Sequence, residues 1–136
     1  MIELPLVAGA ADNGQSAPAD AKVKVKGEIM ELVSPQQTLD LVTSGAAYGI
    51  DVREQSEWDS GHFDKFVLNP LSSFDLTAVP TDKPVIFICR SGNRSGQVCN
   101  AIAPTGADVM NMEGGMLAWQ AAGLPMSAAS GAPLIE

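Results

Sequence analysis

Histidine, cysteine and positive charge are all scarce in this 136-residue chain, and each scarcity removes a class of chemistry. A single histidine, His62, and two cysteines ten positions apart, Cys89 and Cys99, lack the clustered spacing of a zinc site, so no metal and no cofactor is expected. Eight basic against sixteen acidic residues leave a net charge of −8, which argues against nonspecific binding to nucleic acid or to an anionic membrane. Neither Gly-x-Gly-x-x-Gly nor Gly-Lys-Ser/Thr occurs, which removes two glycine-rich phosphate-binding signatures. The opening Met1-Ile-Glu-Leu-Pro-Leu-Val7 is too short to span a bilayer and has no basic flank, and no internal repeat is evident.

With 46% hydrophobic residues the chain can bury one core but not two. Residues 1–27 differ in kind from the rest. Ala8 to Asp20 is small, polar and rich in breakers, the composition of a flexible arm or linker. Such a start fits a trimmed export signal as well as an artificial beginning, so localisation reads as cytoplasmic or periplasmic. One domain is expected over 28–127, followed by a short tail over 128–136. Within the domain, strands are expected at Ile29–Val33, Ala47–Val52, Phe66–Asn69, Val85–Ile88 and about Asp108–Asn111. Helices are expected from Pro35, behind the cap Ser34, to about Thr43, from Ser95 to Ile102, and from about Gly115 to Ala122. Strands alternating with helices predict an α/β fold: a parallel sheet of about five strands with helices on both faces.

The most informative segment is Cys89-Arg90-Ser91-Gly92-Asn93-Arg94-Ser95, directly after the apolar run Val85–Ile88. A β-branched and aromatic run of this length fits a strand buried on both faces. Ligands of open α/β sheets bind just beyond the carboxyl ends of the strands, where the free N–H groups of a helix start carry partial positive charge. A thiol there, with Arg90 and Arg94 nearby, has its thiolate favoured by amide dipoles and cations alike, and needs no histidine or aspartate base. Gly92 lets the backbone curl, and the amides from Ser91 to Ser95 can form a nest that holds an anion. An isolated cysteine is more often an inert core residue; a cysteine, a glycine and two arginines within six residues at a strand exit favour the reactive reading.

These residues resemble the active loop of the rhodanese-like sulfurtransferases, and three further segments match that family in order. Gly49-Ile50-Asp51-Val52-Arg53-Glu54 resembles its Asp-x-Arg strand, Glu57-Trp58-Asp59-Ser60-Gly61-His62-Phe63 its Gly-His segment, and Met112-Glu113-Gly114-Gly115-Met116-Leu117-Ala118-Trp119 its Gly-Gly-x-x-x-Trp helix start. Gly123-Leu124-Pro125 closes the match, which covers about residues 28 to 127. Two features depart from the pattern. Phe63-Asp64-Lys65-Phe66 replaces the usual Ile-Pro-Gly-Ala turn, and Pro104 falls where the helix after the loop often continues.

The resemblance implies a rhodanese-like fold and a covalent mechanism. Cys89 would take the outer sulfur of thiosulfate or a similar anionic donor as a persulfide, and cyanide or a thiol would remove it. Arg90, Ser91, Gly92, Asn93, Arg94 and Ser95 would bind the donor, with Arg94 on the inner rim and Arg90 towards solvent. Asp51 and Arg53, two apart on one strand and so on one face, are expected to support the loop as an ion pair. His62 reads as a structural hydrogen-bonding group, Cys99 as a small core residue, and Trp58, Trp119 and the methionines as packing. Three alternatives stay open: a carrier that passes sulfur to a protein acceptor, a noncatalytic rhodanese-like binding module, and a cysteine-based phosphatase. The phosphatase loop has five residues between cysteine and arginine, whereas Cys89 and Arg94 are separated by four.

Overall fold

The computed structural model describes residues 31–136; the arm expected over 1–27 and the first two positions of the strand expected at Ile29–Val33 lie outside the described residues. The chain alternates as expected: β1 (Glu31–Val33), α1 (Pro35–Thr43), β2 (Tyr48–Asp51), α2 (Gln55–Ser60), β3 (Val67–Leu68), β4 (Val85–Ile88), α3 (Asn93–Ile102), β5 (Val109–Met112) and α4 (Gly115–Ala121). The strands form one five-stranded sheet in the order β1-β5-β4-β2-β3, and every neighbouring pair is parallel.

Period-two alternation along β4 divides the core into two halves. Ile86 and Ile88 face a cluster with Phe63, Phe66, Met116 and Trp119, against which Leu39 and Val42 of α1 pack. Val85 and Phe87 point the other way with Cys89, into a cluster with Val98, Cys99 and Ile102 of α3. Helices therefore cover both faces. The register sets Asp51 beside Ile88 and Asn111 beside Phe87. The carboxyl ends of β2, β4 and β5 thus converge where Cys89 leaves the sheet.

Local chemistry fixes the element ends. Ser34 and Gln37 form a reciprocal capping box, with Pro35 in the first turn of α1. Pro104 does what its missing N–H dictates: α3 stops at Ile102 and tightens into a 3₁₀ turn over Ala103–Thr105. The departure at Phe63–Phe66 turns out to be packing. The two rings meet edge to face at 5.0 Å and both lie on Trp119. Phe66 also needs Gly49, because a Cβ there would sit 2.4 Å from its ring.

The segment beyond residue 127 lies along the domain. Ser127 and His62 exchange backbone hydrogen bonds, Ala129 and Leu134 donate to the carbonyls of Asp59 and Ser60, and Ile135 is buried. Among the described residues no helix is long and apolar enough to cross a membrane.

Candidate active site

Cys89 emerges from β4 with 1% of its surface exposed. Burial pushes its thiol up, but hydrogen bonds pull harder the other way: from the Ser95 hydroxyl, and from the backbone N–H groups of Ser95, Gly92 and Ser91. The net effect holds the thiol below its ordinary value. The Gly92 N–H lies 3.0 Å from the sulfur and the Ser95 Oγ 3.3 Å.

The opposite side of the loop explains why its amides face the sulfur. At the start of α4, the N–H groups of Met116 and Leu117 bind the carbonyls of Cys89 and Arg90 at 2.8 and 3.0 Å. Carbonyl and following N–H point opposite ways in a trans peptide, so drawing the Arg90 carbonyl outward turns the Ser91 N–H inward. Gly92, at φ +103°, then reverses the backbone before α3 begins. Gly115 permits the approach of α4; a Cβ there would lie 2.4 Å from the Arg90 carbonyl oxygen.

Asn111 completes the floor. Its Nδ2 donates to the Gly92 carbonyl at 3.0 Å, and its Oδ1 lies 2.5 Å from the Ser95 Oγ. Ser95 has one proton for two acceptors, the amide oxygen and the sulfur. A charged acceptor makes the stronger bond, so the proton turns to sulfur once the thiolate forms. Ser95→Ala removes this donor and is expected to shift the pH–rate profile of Cys89 alkylation by iodoacetamide to higher pH. A hydrogen bond to a charged group is worth about 1.5 kcal/mol, roughly tenfold in thiolate population; because a more basic thiolate is also a better nucleophile, the net slowing on the acid limb is roughly three- to fourfold. An unmoved profile would show that Ser95 does not set the thiol's acidity.

Two ion pairs stand behind the loop. Arg94, in the first turn of α3, meets Glu57 of α2 end on, Nη1 to Oε1 and Nη2 to Oε2, each at 2.8 Å. Glu57 Oε1 also accepts the Glu54 N–H at 3.0 Å, so the carboxylate is held by two elements. The Arg94 guanidinium depresses the Glu57 carboxyl to about 2 against the resistance of burial, so the pair is ionised throughout the neutral range. Glu57 in turn raises Arg94, which also feels the charge of Cys89.

Asp51 and Arg53 form the second pair. Both are fully buried, with Nε and Nη2 of Arg53 on the Asp51 carboxylate and the Nη2–Oδ2 distance 2.7 Å. Arg53 also donates to the carbonyls of Gly61 at 2.8 Å and Glu57 at 3.3 Å. Its hydrogen bonds thus run to α2 and its end, and α2 carries Glu57 to Arg94.

Of the loop residues singled out by sequence, Ser91, Gly92 and Ser95 turn donors towards the sulfur, and Ser91 and Asn93 are also exposed at the rim. Arg90 is exposed and its Nε donates to the Glu136 carbonyl. His62 stacks on Trp58 at 4.1 Å and bonds to the Trp58 carbonyl and to Asp64. Cys99 is a buried thiol with its sulfur 3.4 Å from the Met110 carbonyl oxygen. Sequence reasoning assigns no role to Glu57 or Asn111. Asn111 has a readable signal, a polar residue inside the apolar strand Val109–Met112; Glu57 has only its place in the Gly-His segment.

The family model for the rhodanese-like domain matches residues 34–122. The chain belongs to that family. It is 31% identical over 105 residues to an uncharacterised protein of Synechocystis, covering 75% of this chain and 59% of that one. It is 34% identical over 85 residues to a sulfurtransferase of Allochromatium vinosum, covering 60% of this chain and 79% of that one. The rhodanese-related protein of Thermoplasma volcanium shares the fold at a TM-score of 0.66 and 24% identity, over 71% of this chain and 97% of that one. The rhodanese-like fold and the loop ending β4 thus agree with the sequence reading.

Proposed function

We propose that this domain is a sulfurtransferase in which Cys89 carries sulfur as a persulfide. The observation that supports it best is the thiol itself, held below its ordinary value by inward N–H and O–H donors. That environment suits a group that is an anion before, during and after the reaction. The Cys89 thiolate attacks the outer sulfur of thiosulfate or a similar donor. A new S–S bond forms, the donor's S–S bond breaks, and sulfite leaves with the electron pair. Cyanide or a thiol then attacks the terminal sulfur and the Cys89 thiolate departs, so the enzyme ends as it began. The loop amides stabilise the persulfide sulfur and the charge that returns to Cys89. The chain spans 59% of the Synechocystis relative, and a protein acceptor in place of a small thiol uses the same chemistry.

Intact-mass spectrometry after incubation with saturating thiosulfate tests this reading on the wild type and on Cys89→Ala. A gain of one sulfur by the wild type alone, erased by cyanide, is the expected result. No gain by the wild type from thiosulfate or from the monoanionic donor methanethiosulfonate, or an equal gain by Cys89→Ala, would refute the persulfide on Cys89.

A further inference from the structure

Arg90 and Arg94 are the cations of the loop, and they are held differently. Both terminal nitrogens of Arg94 lie against the two carboxylate oxygens of Glu57, and the guanidinium is cancelled where it stands. Arg90 stays exposed, and its Nε donates to a main-chain oxygen of Glu136 and not to a side-chain carboxylate. With Cys89 as thiolate, the loop and Glu57 together sum to about zero, within a chain of net charge −8. Such a site gives a dianion little attraction, and each added negative charge on the donor meets Glu57 as well as Arg94.

We infer that Glu57 determines donor specificity: by binding both ends of Arg94 it turns the site towards sulfane donors of low negative charge, thiosulfonates and thiol persulfides, and away from dianionic thiosulfate. This rests on the sulfurtransferase reading above. The chemical step is unchanged except for the group that leaves with the electron pair when the donor's S–S bond breaks: a sulfinate from a thiosulfonate, a thiolate from a thiol persulfide. Glu57 does not touch the reacting sulfur in this arrangement; it acts through Arg94 and through its own charge.

Glu57→Gln tests the inference, because glutamine keeps an oxygen for the Glu54 N–H and for Arg94 while removing the charge. Two rate ratios are read. The first is Cys89 persulfide formation from thiosulfate relative to methanethiosulfonate, a dianion against a monoanion. The second is Cys89 alkylation by iodoacetate relative to iodoacetamide, an anion against a neutral reagent. Both alkylating agents meet the same thiolate, so a changed thiol acidity cancels in their ratio, and this readout does not depend on sulfur transfer. Each ratio is expected to rise roughly fivefold in Glu57→Gln at low ionic strength and to fall back towards the wild-type value in high salt. Glu54→Gln, which removes a neighbouring carboxylate bonded to Ser72 instead of Arg94, is expected to leave both ratios within about twofold of wild type. Unchanged ratios in Glu57→Gln, or equal rises in both variants, would overturn the inference. A raised alkylation ratio without persulfide from either donor would uphold the charge effect of Glu57 and overturn sulfur transfer together with the donor preference.

Discussion

Gly115→Ala is expected to destabilise the fold by roughly 3–4 kcal/mol and to slow Cys89 alkylation by about a hundredfold, although residue 115 contacts no reacting atom. The added Cβ would lie 2.4 Å from the Arg90 carbonyl oxygen and 2.5 Å from that of Cys89, and Gly115 sits at φ +59°. Backbone atoms cannot swing aside as a flexible side chain can. Either the start of α4 lifts off, releasing the Met116 and Leu117 hydrogen bonds, or the loop moves. The left-handed conformation costs a residue with a Cβ about 1–2 kcal/mol, and two lost hydrogen bonds add about 1 kcal/mol each. The rate effect has a different origin. Once the Arg90 carbonyl is no longer drawn outward, the amides that stabilise the thiolate lose their aim, and a misplacement of about 1 Å can cost a hundredfold. Gly123→Ala is the control, since Gly123 also has positive φ, at +70°, but nothing lies within 4 Å of where its new methyl would sit. Urea midpoints and iodoacetamide rates at Cys89 should separate the two variants; equal losses would mean that close approach at Gly115 is irrelevant.

The parts of this site that are legible in the sequence are those whose residues are neighbours in it. The strand Val85–Ile88 announces itself by composition, and the thiol, glycine and arginines follow without a gap. Strand alternation alone places Asp51 and Arg53 on one face, and the structure pairs them. What stays hidden is long-range and made by single side chains. Glu57 reaches Arg94 across 37 positions and Asn111 reaches Ser95 across 16. No local pattern encodes either meeting, because the register of β5 on β4 and the docking of α2 decide them.

Boundaries differ for related reasons. α3 starts at Asn93, two residues before the expected Ser95, because the left-handed Gly92 makes the turn alone and leaves the polar Asn93 and Arg94 free to be helical. β5 runs one residue past the expected end, since the Met112 position pairs with Val33 of β1. The 3₁₀ turns at Leu71–Ser73 and Leu76–Ala78 carry no periodic signal. Reciprocal hydrogen bonds between the side chain of Asn69 and the backbone of Asp75 hold that connection, and a polar residue in a loop does not reveal such a partner.

Asp51→Ala is expected to be the costliest change outside the loop. It leaves the Arg53 guanidinium fully buried with only the carbonyls of Gly61 and Glu57 for partners. Removing one member of a buried ion pair typically costs about 3–5 kcal/mol, because the stranded charge has neither water nor counter-ion. Against a total stability of about 5–15 kcal/mol this is a large fraction, and the melting temperature should drop by at least about 12 °C. The double variant Asp51→Ala/Arg53→Met separates a stranded charge from a lost attraction. Exchanging a buried pair for apolar side chains is often close to neutral, so the double variant should be more stable than Asp51→Ala. Recovery should stop short of wild type, since Arg53 also binds two carbonyls of the α2 region. Thermal melts of the three proteins decide the matter: a double variant no more stable than the single one would mean that the hydrogen bonds of Arg53 to α2, and not its charge, are what Asp51 protects.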